Sequence, residues 1–183
     1  MTSPDWPGFL ELAVAQAGYV TTADAAALGF SPELLIHHVG AGRLERIRRG
    51  IYRVVHLPAD DDEDLVVIWL WSQRRGVFSH RTALALHQLS DLLPAQVDLT
   101  LPAQDARRRL RVPEGVHLHH TEVADEDRVW IGHVPVTSAL RTLQDCAALP
   151  LSPDLLAQAL REAEQRGLAR RADLDRIAAG SSP

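Results

Sequence analysis

The chain has 183 residues, 46% of them hydrophobic, and a formal net charge of −5, which suits one medium domain or two small ones and argues against wholesale disorder. All 19 basic residues are arginine, and a chain without lysine has no Walker A loop, no Schiff-base chemistry, no protein-kinase site and no nuclease core that sets a lysine beside paired carboxylates. Cys146 is the only cysteine, so a disulfide framework and a Cys-based zinc finger are excluded as well.

Phe9, Leu10, Ala13, Val14 and Ala17 fall on one stripe of a helix that Gly18 ends. Thr21 or Thr22 caps a short helix to Ala27, stopped by Gly29. Ser31 caps the next helix, with Pro32 in its first turn and Gly40 or Gly42 at its end. Leu44–Arg48 and Ile51–Val55 read as two strands of a hairpin around Arg49-Gly50.

Three short helices and a hairpin in this order are the elements of a winged helix-turn-helix, and the helix over 31–41 takes the place of its recognition helix. Leu35 and Val39 face the core by their spacing. Glu33, Ile36, His37 and Gly40 then face outward, with Ser31 and Pro32 at a tip whose free N–H groups suit a phosphate. All five arginines of residues 1–57 lie between Arg43 and Arg53, against one acid, Glu45. This is a local excess of positive charge that suits a polyanion. The DNA-facing set expected from the sequence is therefore Thr22, Ser31, Pro32, His37, Arg43, Arg46, Arg48, Arg49 and Arg53.

Asp60–Asp64 form an acidic run that marks a boundary, giving a winged helix over 1–57 and a second domain over 58–183. Glu63–Arg75 reads as an apolar helix. Its core Leu65–Trp71 is the longest apolar stretch and is far too short to span a bilayer. The start of the chain also lacks the pattern of a signal peptide, so a cytoplasmic protein with no membrane partner is expected. Ser79 caps a helix to about Leu89. Val97–Leu101 and Val116–His120 alternate as strands, and Val129–Val136 holds one or two more. Thr137 or Ser138 starts a helix to Ala148, Ser152-Pro153-Asp154 starts another that runs to Gly167, and Asp173–Ala179 is a last one. The fold class is α+β, a winged helix followed by helices around a small sheet.

Gly18–Ser31, then Leu35, Val39, Gly42-Arg43-Leu44 and Arg49-Gly50-Ile51-Tyr52, together resemble the N-terminal domain of the AbiEi family, the antitoxins of type IV toxin–antitoxin systems. Further along, Ser79-His80-Arg81-Thr82-Ala83-Leu84 with His87 and Leu89 is similar to a helix of that family. Val97–Pro102 resembles its next strand, and Val134–Ser138 with Arg141, Thr142, Leu143 and Asp145 its late helix. The resemblance runs over roughly residues 9–175. It implies a winged helix that represses its own operon by binding double-stranded DNA at its promoter. It also implies a C-terminal domain that opposes an AbiEii-like nucleotidyltransferase toxin. The family's usual basic outward positions in the recognition helix are here Ile36 and His38, which shifts weight onto the wing arginines. The alternative function is a stand-alone winged-helix regulator with no toxin partner.

Four further groups of residues bear on chemistry. His117 and His119 share a strand face and would need a third ligand, such as Glu122 or His133, to hold a metal; a polar alternation that includes His120 explains them as well. Ser79 and His80 are adjacent, so on a helix their side chains diverge, and no nucleophile elbow surrounds them. Arg107, Arg108, Arg109 and Arg111 form a second basic patch, read as a solvated loop or an additional binding face. Arg141 and Asp145, four apart, read as a structural pair. No catalytic residue, metal or cofactor is assigned, and the chain is read as not an enzyme.

Overall fold

The Asp5 carboxylate accepts a hydrogen bond from the Gly8 amide at 3.0 Å and so starts helix α1, Trp6–Ala15. The computed structural model describes residues 3–58 and 62–180. Two compact units follow one another along the chain, Met1–Arg74 and Arg75–Pro183.

In the first unit α1 leads into the short strand β1 (Tyr19–Thr21), then α2 (Thr22–Ala27) and α3 (Pro32–Gly40). Thr21 and Asp24 cap α2 reciprocally, and the Ser31 hydroxyl caps α3 by accepting from the Leu34 amide. Strands β2 (Leu44–Arg48) and β3 (Ile51–Val54) form the hairpin. Its turn passes through Gly50 at φ +80°, backbone that glycine adopts without penalty. β1 pairs antiparallel with β3, so β3 is the centre of a three-stranded sheet ordered β1-β3-β2. Phe9, Ala13, Val20, Ala25, Phe30, Leu35, Leu44, Tyr52 and Val54 make the core under it. Each large side chain buried there contributes about 1.5–3 kcal/mol. These are the elements of a winged helix-turn-helix.

The helix after the acidic run, α4 (Glu63–Trp71), belongs to this same unit, whereas the sequence pattern places the boundary after residue 57. Polar contacts at both of its ends attach it. The Tyr19 hydroxyl donates to Glu63 at 3.1 Å, and Arg74, just past the helix, donates to the Gln16 side chain and to Asp24 at 2.6 Å. Burial, followed by the bond to Glu63, pushes the Tyr19 hydroxyl up to about 12. Of the acidic run, Asp60 and Asp61 lie outside the described residues.

The second unit holds a five-stranded sheet ordered β6-β5-β4-β8-β7. Its strands are β4 (Val77–Phe78), β5 (Val97–Leu101), β6 (Val116–His120), β7 (Arg128–Ile131) and β8 (Val134–Thr137). β4 runs antiparallel to β5 and parallel to β8, β5 is parallel to β6, and β7 closes the other edge antiparallel to β8. At the entry to β4, a Cβ on Gly76 would meet the Leu99 side chain at 2.8 Å, so only glycine lets the chain pass there unchanged. Helices α5 (His80–Leu86), α6 (Ala139–Ala147), α7 (Pro153–Gln165) and α8 (Arg171–Gly180) complete the unit. Leu84, Leu143, Cys146, Ala159, Ala163 and Leu174 pack these helices on one another. The fold is therefore α+β, a winged helix followed by a mixed α/β unit. Among the described residues no helix is long and apolar enough to cross a membrane.

Candidate nucleic-acid interface

The hairpin of the first unit presents its arginines to solvent because only one end of β2 is anchored in the core. Leu44 is buried, while Glu45, Arg46, Ile47, Arg48 and the turn residue Arg49 are exposed. A register shift between Arg46 and Arg48 puts a bulge at Ile47, the kind of irregularity that re-aims side chains at a sheet edge. Arg43, just before β2, is exposed too. Thr22 lies beside the hairpin tip. Its amide donates to the Gly50 carbonyl at 2.9 Å, and Thr22, Arg49 and Arg74 line a common cleft of about 390 Å³. Ser31 and Pro32 stand exposed at the tip of α3.

One member of the expected set differs in what it contacts. Arg53 lies on the central strand and turns inward, where its guanidinium donates to the Leu57 carbonyl at 3.2 Å and sits 3.8 Å from Glu63. It fastens the hairpin to α4 and is not presented to solvent with the others. On α3 the outward residues are Glu33, Ile36 and His37, as the spacing predicts, with Ile36 69% exposed. His38, which the family resemblance implies is an outward position, is buried. Its ring stacks on Trp6 at 4.9 Å and tilts against Phe30 at 5.9 Å. Burial, followed by the nearby Arg43, holds it below the ordinary imidazole range. A core-facing position one turn from Leu35 explains this, since an imidazole offers a flat apolar face as readily as a polar edge.

The second basic run sits in the other unit, at the end of a 3₁₀ turn over Ala103–Arg107. Arg107, Arg108, Arg109 and Arg111 are all exposed, and Arg108 also lies 3.5 Å from the buried carboxylate of Asp105, which holds Arg75 at 2.8 Å.

That unit also gathers a polar cluster at the start of α5. Ser79 occupies the cap position but makes no capping bond. Its hydroxyl accepts from Thr100 Oγ1 at 2.7 Å and lies 2.9 Å from His80 Nδ1. The two neighbouring side chains converge where a helix would make them diverge, because His80 adopts φ +51°, a left-handed backbone unusual for any residue with a Cβ. The turned ring stacks on His119 at 3.6 Å. Arg81 grips Asp98 with both Nε (3.0 Å) and a terminal nitrogen (3.2 Å), and His119 Nε2 lies 2.8 Å from the same carboxylate. A nucleophile has to meet its substrate, and Ser79 is fully buried, so this serine–histidine pair is a packing network. Arg141 and Asp145 pair as their spacing predicts, at 2.8 Å.

The electrostatics make this unit sensitive to acid. Burial, followed by the His119 ring, pushes His80 down to about 4, and burial lowers His87, whose Nε2 lies 2.7 Å from the Thr137 carbonyl. A histidine with a folded pKa below its unfolded value near 6.5 takes up fewer protons when folded. Its contribution to stability is whole above pH 6.5 and is lost as the pH falls through the folded value. Asp98 adds a second, lower window: burial raises its pKa, but the bonds from His119 and Arg81 win and hold it down to about 2. Thermal melts between pH 7.5 and 4 should therefore show falling stability on acidification, and a His80→Gln/His87→Gln chain should show a flatter slope. An equal slope in both proteins would refute this assignment.

Comparison with known proteins bears on the first unit. Residues 10–55 match the AbiEi antitoxin family of transcriptional regulators. The match runs from within α1 to the residue after β3, taking in the helix-turn-helix and the wing and stopping before α4. No protein of curated function matches the chain. Among solved structures, the RV2827C protein from Mycobacterium tuberculosis is similar, at 15% identity and a TM-score of 0.47, over 95% of this chain and 80% of that one.

Proposed function

We propose that the protein is an AbiEi-type antitoxin and repressor. In this reading the unit Met1–Arg74 binds double-stranded DNA at the protein's own promoter, and the unit Arg75–Pro183 opposes a nucleotidyltransferase toxin. The observation that carries the DNA half is the row of exposed arginines at 43, 46, 48 and 49 on the wing, next to an α3 whose outward face holds no arginine. Phosphate contacts from such a row give affinity and register, and in this reading the Thr22 hydroxyl and the exposed tip of α3, at Ser31 and Pro32, meet the DNA backbone beside them. The toxin half rests on the motifs at 79–89, 97–102 and 134–145. The boundary at Arg74 makes a test possible. Residues 1–74 are expected to keep operator binding, and residues 75–183, expressed with a nucleotidyltransferase toxin of the AbiEii type, are expected to restore growth without repressing the promoter. Operator binding by 1–74 with no protection from any form of the chain would favour a stand-alone regulator.

A further inference from the structure

The geometry points to a binding site for a divalent d-block cation of the zinc class, formed by Asp98, His117 and His119 on the β6 edge of the second sheet. β5 and β6 run parallel with Asp98 opposite His117 and Thr100 opposite His119. Residues paired across a sheet, and residues two apart along a strand, share a face, so the carboxylate and both imidazoles rise on the same side. One potential ligand atom from each of the three lies within 4.8 Å of the other two. Ligand atoms on a four-coordinate ion with bonds of about 2.0–2.2 Å sit roughly 3.5 Å apart, so small torsional changes bring the three onto one ion. This register is also why neither Glu122 nor His133 is needed: Glu122 accepts from the Ala103 amide at 3.0 Å instead.

The surroundings resemble the support that holds metal ligands in place. The two bonds from Arg81 fix the plane of the Asp98 carboxylate, and His80, itself tied to Ser79, stacks on the flat face of His119. Groups of this kind orient ligands and set their basicity. Burial is graded from Asp98, fully buried, through His119 to the exposed His117. That grading gives an ion a path in from solvent and leaves a coordination position for water. The charge balance selects the ion. Arg81 already offsets Asp98, so binding depends on the two imidazoles. That favours zinc, nickel or copper over magnesium and calcium, which require mostly oxygen ligands.

The test uses the tag-free full-length chain, titrated with Zn²⁺ by calorimetry and with Co²⁺ by its visible absorption. One ion per chain is expected. His117→Ala should weaken binding by at least about tenfold, and since His117 is exposed its removal takes nothing from the core. His119→Ala should do the same or more. His120→Ala, on the opposite face of the same strand, serves as the control and should leave binding unchanged. Zn²⁺ should also shift the ring resonances of His117 and His119. No binding by the intact chain, binding unchanged in His117→Ala, or an equal loss in His120→Ala would each overturn the assignment.

Discussion

A chain with Arg46, Arg48 and Arg49 all changed to alanine is expected to bind its promoter DNA on the order of ten- to a hundredfold more weakly and with a flatter salt dependence. All three side chains are exposed on the wing, so their removal takes nothing from the core of the first unit, and the thermal melt should be unchanged. Every phosphate that is no longer neutralised should reduce the log–log salt slope by about 0.9. Arg53 makes the informative contrast. Held by Leu57 and Glu63, it should lower stability when changed to alanine while leaving the salt slope of the folded protein as it was. Fluorescence anisotropy across a salt series, with a melt of each variant, separates the two effects. Unchanged affinity and slope in the triple variant would refute the wing as the DNA-contacting surface.

The second large effect is expected at Arg141. Its guanidinium donates to Asp145 at 2.8 Å, to Asp127 at 3.2 Å and to the Glu122 carbonyl at 3.4 Å, tying α6 to the loop that precedes β7. The pair is mostly buried, with side-chain exposures of 17% for Arg141 and 14% for Asp145. Removing one member of such a pair leaves the other charged and without its partner, at a cost of about 3 kcal/mol or more. Arg141→Met should therefore lower the melting temperature of the second unit by on the order of 10 °C. Asp145→Asn should lower it less, since the amide oxygen still accepts. Replacing both by apolar residues should recover part of the loss, because no buried charge is then left alone. DNA binding should be largely kept in all three. A chain whose stability is untouched but whose protection against the toxin is abolished would mean that these residues meet the partner.

What could be read from the chain followed locality. Val97–Leu101 and Val116–His120 alternate cleanly and are strands over those same residues. Ser31-Pro32 and Ser152-Pro153 announce helices that begin there. The strands without a sequence signal, Tyr19–Thr21 and Val77–Phe78, are too short to carry a period, and distant partners hold them in the sheet. The cluster around Asp98 was hidden for a related reason. Which residue faces His117 depends on the register of a parallel pair joined by a long crossover, and no local pattern encodes that. The convergence of Ser79 and His80 was hidden differently, since it depends on one backbone angle, φ +51° at His80, that adjacency alone gives no sign of. The wing arginines were legible because exposure and charge density are nearly the same statement on a short hairpin. Arg53 was not, because its neighbour Glu63 belongs to the next helix.

The strand order of the larger sheet also fixes the sequence in which the molecule can be assembled during synthesis. Every strand of the first unit's sheet has been made by Val54, and its closing helix by Trp71. By contrast β4, the middle strand of the second sheet, pairs on one side with β8, where Phe78 meets Val136. Until Val136 has left the ribosome, Val77 and Phe78 have a partner on one side only, and the apolar surface intended for the far half of the sheet stays open. Pairings this distant in sequence form slowly and leave such surface exposed to aggregation. The winged helix can therefore be folded while the second unit is still a growing chain, and a nascent chain stalled between β4 and β8 would carry a finished first unit attached to an unfinished sheet.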